Sequence, residues 1–133
     1  MADTRYTRNA GCVYNLKYHI VWCPKYRRKV IVGKYEKRLN FYLHQKAKEQ
    51  NWLIESLEIM PDHVHCFISC DTTDAPQHIV NQLKGYTSRM LREEFPELKS
   101  RLPSMWSRSY FISSIGLISE DTIKKYIENQ KGI

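Results

Sequence analysis

The sequence has no apolar run approaching the roughly 20 residues that a membrane-spanning helix needs, and its opening MADTRYTRN lacks the apolar stretch of a secretory leader. Cys12, Cys23, Cys66 and Cys70 form no CxxC pair. No repeat, low-complexity tract or linker interrupts the 133 residues, which predicts one domain spanning 1–133 with a real core. Together these absences speak against a membrane protein and against a disulfide-stapled secreted module. They predict a cytoplasmic chain with reduced thiols. Acidic residues are scarce as well: 14 Asp and Glu stand against 21 Lys and Arg, a net charge of +7. A chain so balanced favours polyanionic partners, because each phosphate that Lys or Arg neutralises releases condensed counterions.

The positive charge is concentrated. PKYRRKVIVGKYEKR, residues 24–38, carries Lys25, Arg27, Arg28, Lys29, Lys34, Lys37 and Arg38 against Glu36 alone. Tyr26 and Tyr35 are interleaved with these cations and have the chemistry to stack on unpaired bases; the plainer reading is a solvated basic loop and helix start.

Period-two alternation in VYNLKYHIVWC, 13–23, predicts a half-buried strand, with Tyr14, Leu16, Tyr18, Ile20 and Trp22 inward and Asn15, Lys17 and His19 outward. Residues 35–50 read as a helix with Leu39, Tyr42, Leu43 and Ala47 on one stripe. WLIESLEIM (52–60) and HVHCFIS (63–69) read as strands joined by a tight Pro61-Asp62 turn. Residues 76–94 form a second predicted helix that buries Ile79, Leu83, Tyr86 and Met90, with Lys84, Ser88 and Arg92 on another stripe. After a short Pro-containing loop, MWSRSYFISSIG (105–116) reads as a fourth strand. Ser119 then opens a last helix over 119–130. The order β-α-β-β-α-β plus a helix predicts an α+β, ferredoxin-like split βαβ sheet, with two helices on one face and the other face open.

On the third strand His63, His65, Phe67 and Ser69 share the open face, while Val64, Cys66, Ile68 and Cys70 point to the core. Two imidazoles so placed can flank one cation. On the last helix Tyr126 and Gln130 stand at i and i+4, on one side. Gln130 offers a neutral carbonyl oxygen to a hard cation. Tyr126 offers a phenol able to attack phosphorus, provided something eases its deprotonation from an ordinary pKa of about 10. Taken singly, Tyr126 reads equally as a packing residue and Gln130 as a solvated helix end.

PDHVH, MWSRSYFISSIG and KKYIENQ, in that order, resemble the HUH-type single-tyrosine transposases of small insertion sequences, which act on single-stranded DNA. YHIVWCPKYRRKV and QLKGYTSRMLR are similar to that family too, so the resemblance covers nearly the whole chain. It implies a ferredoxin-like fold, with His63, His65 and Gln130 as ligands of a divalent metal, magnesium or manganese. It makes Tyr126 the nucleophile that forms a 5′-phosphotyrosine link and frees a 3′-hydroxyl. It further implies a DNA-associated homodimer whose tyrosine helices can act in trans, on single-stranded DNA marked by hairpins. Arg5, Arg8, Lys25, Arg27, Arg28 and Lys29 are the candidate hairpin contacts. A host-retained relative that processes palindromic repeats fits the same residues. A non-catalytic single-stranded nucleic-acid-binding module would instead present sheet aromatics such as Tyr14, Tyr18 or Tyr110. A zinc site would call for softer ligands than Gln130.

Overall fold

The computed structural model describes residues 7–9, 12–14, 16–70, 73–114 and 120–130. Strands β3 (Lys17–Trp22), β4 (Leu53–Met60), β5 (His63–Ser69) and β6 (Phe111–Ser114) form one antiparallel sheet in the order β4-β5-β3-β6. Helices α1 (Lys34–Glu49) and α2 (Pro76–Glu94) connect β3 to β4 and β5 to β6. This is the expected split βαβ arrangement, since β3 and β4 flank β5 and both run opposite to it.

The core lies between the sheet and the two helices. Ile20, Trp22, Val64, Cys66 and Ile68 of the sheet meet Leu39 and Leu43 of α1 and Ile79, Leu83 and Leu91 of α2, all of them fully buried. The Cys66 and Cys70 thiols sit on this side, where burial pushes both up to about 12, so neither serves a site on the opposite face.

Local signals explain the boundaries. Asn51 takes a left-handed φ of 62° just past α1, and the Asn51 and Trp52 amides close back on the Lys48 and Ala47 carbonyls. That is a Schellman ending with Asn in place of the usual Gly, and it drops Trp52 into the core. Pro76 opens α2, where its missing N–H has no partner to lose. Met60 pairs with His63, so Pro61 and Asp62 form the two-residue turn of the β4–β5 hairpin.

Three expectations need correction. The strand expected over 13–23 is two pieces: β2 (Cys12–Tyr14) pairs with β1 (Thr7–Asn9) in a separate ribbon, and only β3 belongs to the main sheet. Tyr14 therefore lies outside the main sheet. Among the described residues, the strand expected over 105–116 is regular only at Phe111–Ser114, with Trp106 making a lone bridge to Pro24. The loop after α2 contains a short helix, α3 (Glu97–Arg101), too brief to show a period in sequence. The last helix, α4, spans Glu120–Glu128. Asn15, Gly116 and the Ser119 helix start lie outside the described residues.

Candidate active site

On β5 the alternation holds as expected: His63, His65 and Phe67 are half-buried on the face away from α1 and α2. The register sets Val21 and Glu58 opposite His65, and His19 opposite Phe67. The His19 ring stacks on Phe67 with centroids 4.3 Å apart, and its Nδ1 lies 3.2 Å from His65 Nε2. Burial, then the neighbouring His19, lowers the His65 pKa, and burial lowers that of His19. Both imidazoles are thus held in the neutral form that a metal requires of a ligand. His63 differs: its Nδ1 sits 2.9 Å from Asp62 Oδ1. A carboxylate on Nδ1 orients the ring and leaves Nε2 as the lone-pair donor, the arrangement usual for metal-bound histidine. His63 therefore fits a cation in donor type and tautomer, and His65 in donor type, with its Nε2 facing His19 Nδ1. Among the described residues His63 and His65 are not joined by a third His, Cys, Asp or Glu placed to hold a metal.

The second half of the site is α4. Its Tyr126 ring packs 6.0 Å from that of Phe111, which the register places on the same open face as Val21. The Tyr126 hydroxyl shares a 3.2 Å hydrogen bond with Ser109 Oγ. Burial raises the Tyr126 phenol to about 12, only partly opposed by the Ser109 bond. Gln130, expected to face the histidines as a ligand, is buried and accepts hydrogen bonds at Oε1 from Ser109 Oγ and, at 3.3 Å, from Ser107 Oγ. Joining a cation would mean exchanging one of these serine bonds.

One side chain spans both halves. Arg27 Nη1 donates to the Ile127 carbonyl of α4 at 3.2 Å, and its Nε lies 3.5 Å from Asp62 Oδ2. Arg27 was expected on the DNA surface, but its side chain is 16% exposed and turned inward. The cause is local. Tyr26 and Arg27 both have left-handed backbone, φ 59° and 52°, which costs a non-glycine residue about 1–2 kcal/mol. The same twist leaves Tyr26 42% exposed, with Lys25 Nζ and Arg28 Cζ 5.2 and 6.0 Å from its ring centroid. Arg28 and Lys29 are exposed beside it. Arg5 lies outside the described residues, and of Arg8 only its backbone place on β1 is described.

Asp62, Ser107 and Ser109 were not expected in the site. Asp62 reads in sequence as a turn residue, although a carboxylate directly before a His-x-His pair was a usable signal. The serines carry no such signal, because a loop alone positions them.

The family model described as "Transposase IS200 like" matches residues 12–130. The ISDra2 transposase TnpA of Deinococcus radiodurans is 36% identical over 125 residues, covering 92% of this chain and 89% of that protein. The transposase for insertion sequence element IS200 of Salmonella typhimurium is 31% identical over 123 residues, 89% of this chain and 81% of its own length. Among solved structures, the crystal structure of a D. radiodurans R1 protein assigned as a transposase matches with a TM-score of 0.89 at 31% identity, over 96% of this chain and 99% of that one. A REP-associated tyrosine transposase, solved bound to a REP hairpin, matches with a TM-score of 0.58 at 12% identity over 96% of this chain and 69% of its own, a likeness of fold. The family match runs from β2 through the histidine strand to Gln130, just past the helix bearing Tyr126, and the chain belongs to the IS200-like transposases.

Proposed function

We propose that the chain cuts and rejoins single-stranded DNA at hairpin-marked element ends through a phosphotyrosine intermediate on Tyr126. The observation that carries this is the Arg27 bridge, which ties the carboxylate orienting His63 to the backbone of the helix bearing Tyr126. A side chain spanning two structural accidents would have no reason to link them.

His63 and His65, with Gln130 as third ligand, would hold a divalent cation, magnesium or manganese, whose chemistry is to polarise a phosphate oxygen. Tyr126 Oη attacks the phosphorus. The new O–P bond leaves a 5′-phosphotyrosine, the bond to the 3′-oxygen breaks, and that oxygen leaves as a 3′-hydroxyl after taking a proton. The phenol proton passes to solvent. Rejoining reverses these steps with another 3′-hydroxyl, and the phosphodiester energy is conserved in the tyrosine ester. Held near 12 by burial, the phenol stays protonated at neutral pH in the free protein.

The exposed Tyr26 between Lys25 and Arg28 supplies a stacking surface for unpaired bases, and Lys29 extends its charge. Two copies acting as a dimer, with the tyrosine helix of one serving the histidines of the other, give Gln130 a way to leave the serines and reach the cation. Such an enzyme works on DNA in the cytoplasm; no helix among the described residues is long and apolar enough to cross a membrane.

The test is to mix the protein with labelled single-stranded DNA from the sequence flanking its gene, with and without magnesium. A denaturant-stable protein–DNA adduct that needs the cation is expected, with no adduct on a perfect duplex of equal length. Cleavage giving a free 5′-phosphate and no adduct would mean that water, not a tyrosine, attacks.

A further inference from the structure

One stripe of α2 faces the irregular chain between α3 and β6 and organises it. Arg92 Nη1 donates to the Leu102 carbonyl at 3.3 Å, and Trp106 Nε1 donates to Thr87 Oγ1 at 3.1 Å in the interior. Lys84 does more. Its Nζ donates to the carbonyls of Ser107 at 2.7 Å, Arg108 at 3.3 Å and Ser109 at 3.2 Å. Successive carbonyls of a strand point to alternate sides, so three in a row meet one ammonium only where the chain curls. The curl at 107–109 is why the expected strand does not begin until Phe111.

The same curl carries the hydroxyls that seat α4. Ser109 Oγ bonds both Tyr126 and Gln130, and Ser107 Oγ bonds Gln130. The path from ammonium to phenol is Lys84, the 107–109 backbone, Ser109, Tyr126. Lys84 is half-buried and has no carboxylate partner among the described residues. Burial lowers its pKa to about 8, a desolvation cost that the three carbonyl bonds offset.

We propose that Lys84 is a positioning residue for strand transfer: by gathering the carbonyls of Ser107, Arg108 and Ser109 it presents the two serine hydroxyls that seat Tyr126 and Gln130. The functional part of this inference rests on Tyr126 being the nucleophile.

The test compares the full-length protein with Lys84→Met, which keeps the length but removes the donors, and Lys84→Arg, which keeps charge and donors. Amide exchange is followed separately for the α4 and β5 peptides, and adduct formation is timed at saturating single-stranded DNA. In Lys84→Met, α4 exchange should speed by about tenfold or more while β5 is unchanged. Adduct formation should slow about 10–100-fold, the cost of a misplaced reacting group, with DNA affinity within about twofold of wild type. Lys84→Arg should recover part of both losses. On a Ser109→Ala background Lys84→Met should add little, because the two act in series.

Unchanged α4 exchange, equal loosening of β5, or full additivity with Ser109→Ala would overturn the proposal. Should Lys84→Met not fold, Lys84→Gln is read by the same exchange and additivity criteria. If wild type forms no adduct at all, it is the tyrosine reading that fails, and α4 exchange still decides the part played by Lys84.

Discussion

The two halves of the site are held in different ways. His63 and His65 sit on β5, which is hydrogen-bonded to β3 on one side and β4 on the other. A slip of one residue would turn both imidazoles into the core and expose Val64, Cys66 and Ile68, so two ladders and an apolar face fix their position. Tyr126 rides on α4 and Gln130 just past its end, where the described attachments are side-chain hydrogen bonds to Ser107 and Ser109, the Arg27 bond to the Ile127 carbonyl, and the Phe111 ring. Bonds of that kind contribute about 1 kcal/mol each. The histidine half is a fixed platform and the tyrosine half a seated part, able to be reseated at modest cost. The proposed mechanism, which cuts one strand and joins another, would gain from that division.

The largest effect follows from removing the platform's chemistry. His63→Ala combined with His65→Ala should abolish cleavage, by at least about a thousandfold, while the protein stays folded and binds hairpin DNA. Both side chains face away from the α1–α2 core, so circular dichroism should be unchanged. Loss of the folded spectrum would show that the pair is structural and would erase the distinction between platform and core.

A smaller effect is expected one step out. Asp62→Asn weakens the hold on His63 Nδ1 and the pairing with Arg27. Manganese affinity of the protein without DNA, followed by electron paramagnetic resonance, should fall about 10–100-fold, as for other residues behind a metal ligand. Unchanged affinity would mean that His63 needs no such support.

The smallest effect is a shift in titration. Tyr126 should ionise near 12, above the ordinary value of about 10, because burial outweighs the Ser109 bond. Between those values the folded chain keeps a proton that the unfolded chain has lost. The group's contribution to stability is therefore complete below about pH 10 and is lost as pH rises through 12. The ultraviolet difference between wild type and Tyr126→Phe should show that late titration. A difference titrating near 10 would mean that the phenol is solvated and α4 is not seated as described.

The same contrast governs how much the sequence discloses. The platform was legible: period-two alternation in HVHCFIS and the turn at Pro61-Asp62 put both histidines on the open face, and the structure agrees. Tyr126 falls on a helix as expected, but α4 ends at Glu128 and the Gln130 amide closes on the Ile127 carbonyl, so Gln130 lies just past the helix rather than one helical turn along it. What holds that helix was not legible. The conformation of 102–109 is imposed by Arg92, Thr87 and Lys84 from a distant turn of α2, and no local pattern encodes it. Arg27 looked like one more cation in a basic run, and its inward turn depends on left-handed backbone at two non-glycine residues, which sequence does not announce. The break of the first expected strand near Leu16 likewise follows from the chain leaving the main sheet to build the β1–β2 ribbon, since the alternation itself continues unbroken through it.

The most direct test of the account is to digest the adduct formed on single-stranded DNA and locate the modified residue by mass spectrometry, in wild type and in Tyr126→Phe. The nucleotide should be found on the peptide containing Tyr126 in wild type. In Tyr126→Phe the adduct should be absent, while DNA binding and the thermal unfolding midpoint barely change, because only one oxygen has been removed. A nucleotide mapped to another tyrosine, such as Tyr110, or an adduct that persists in Tyr126→Phe, would contradict the account.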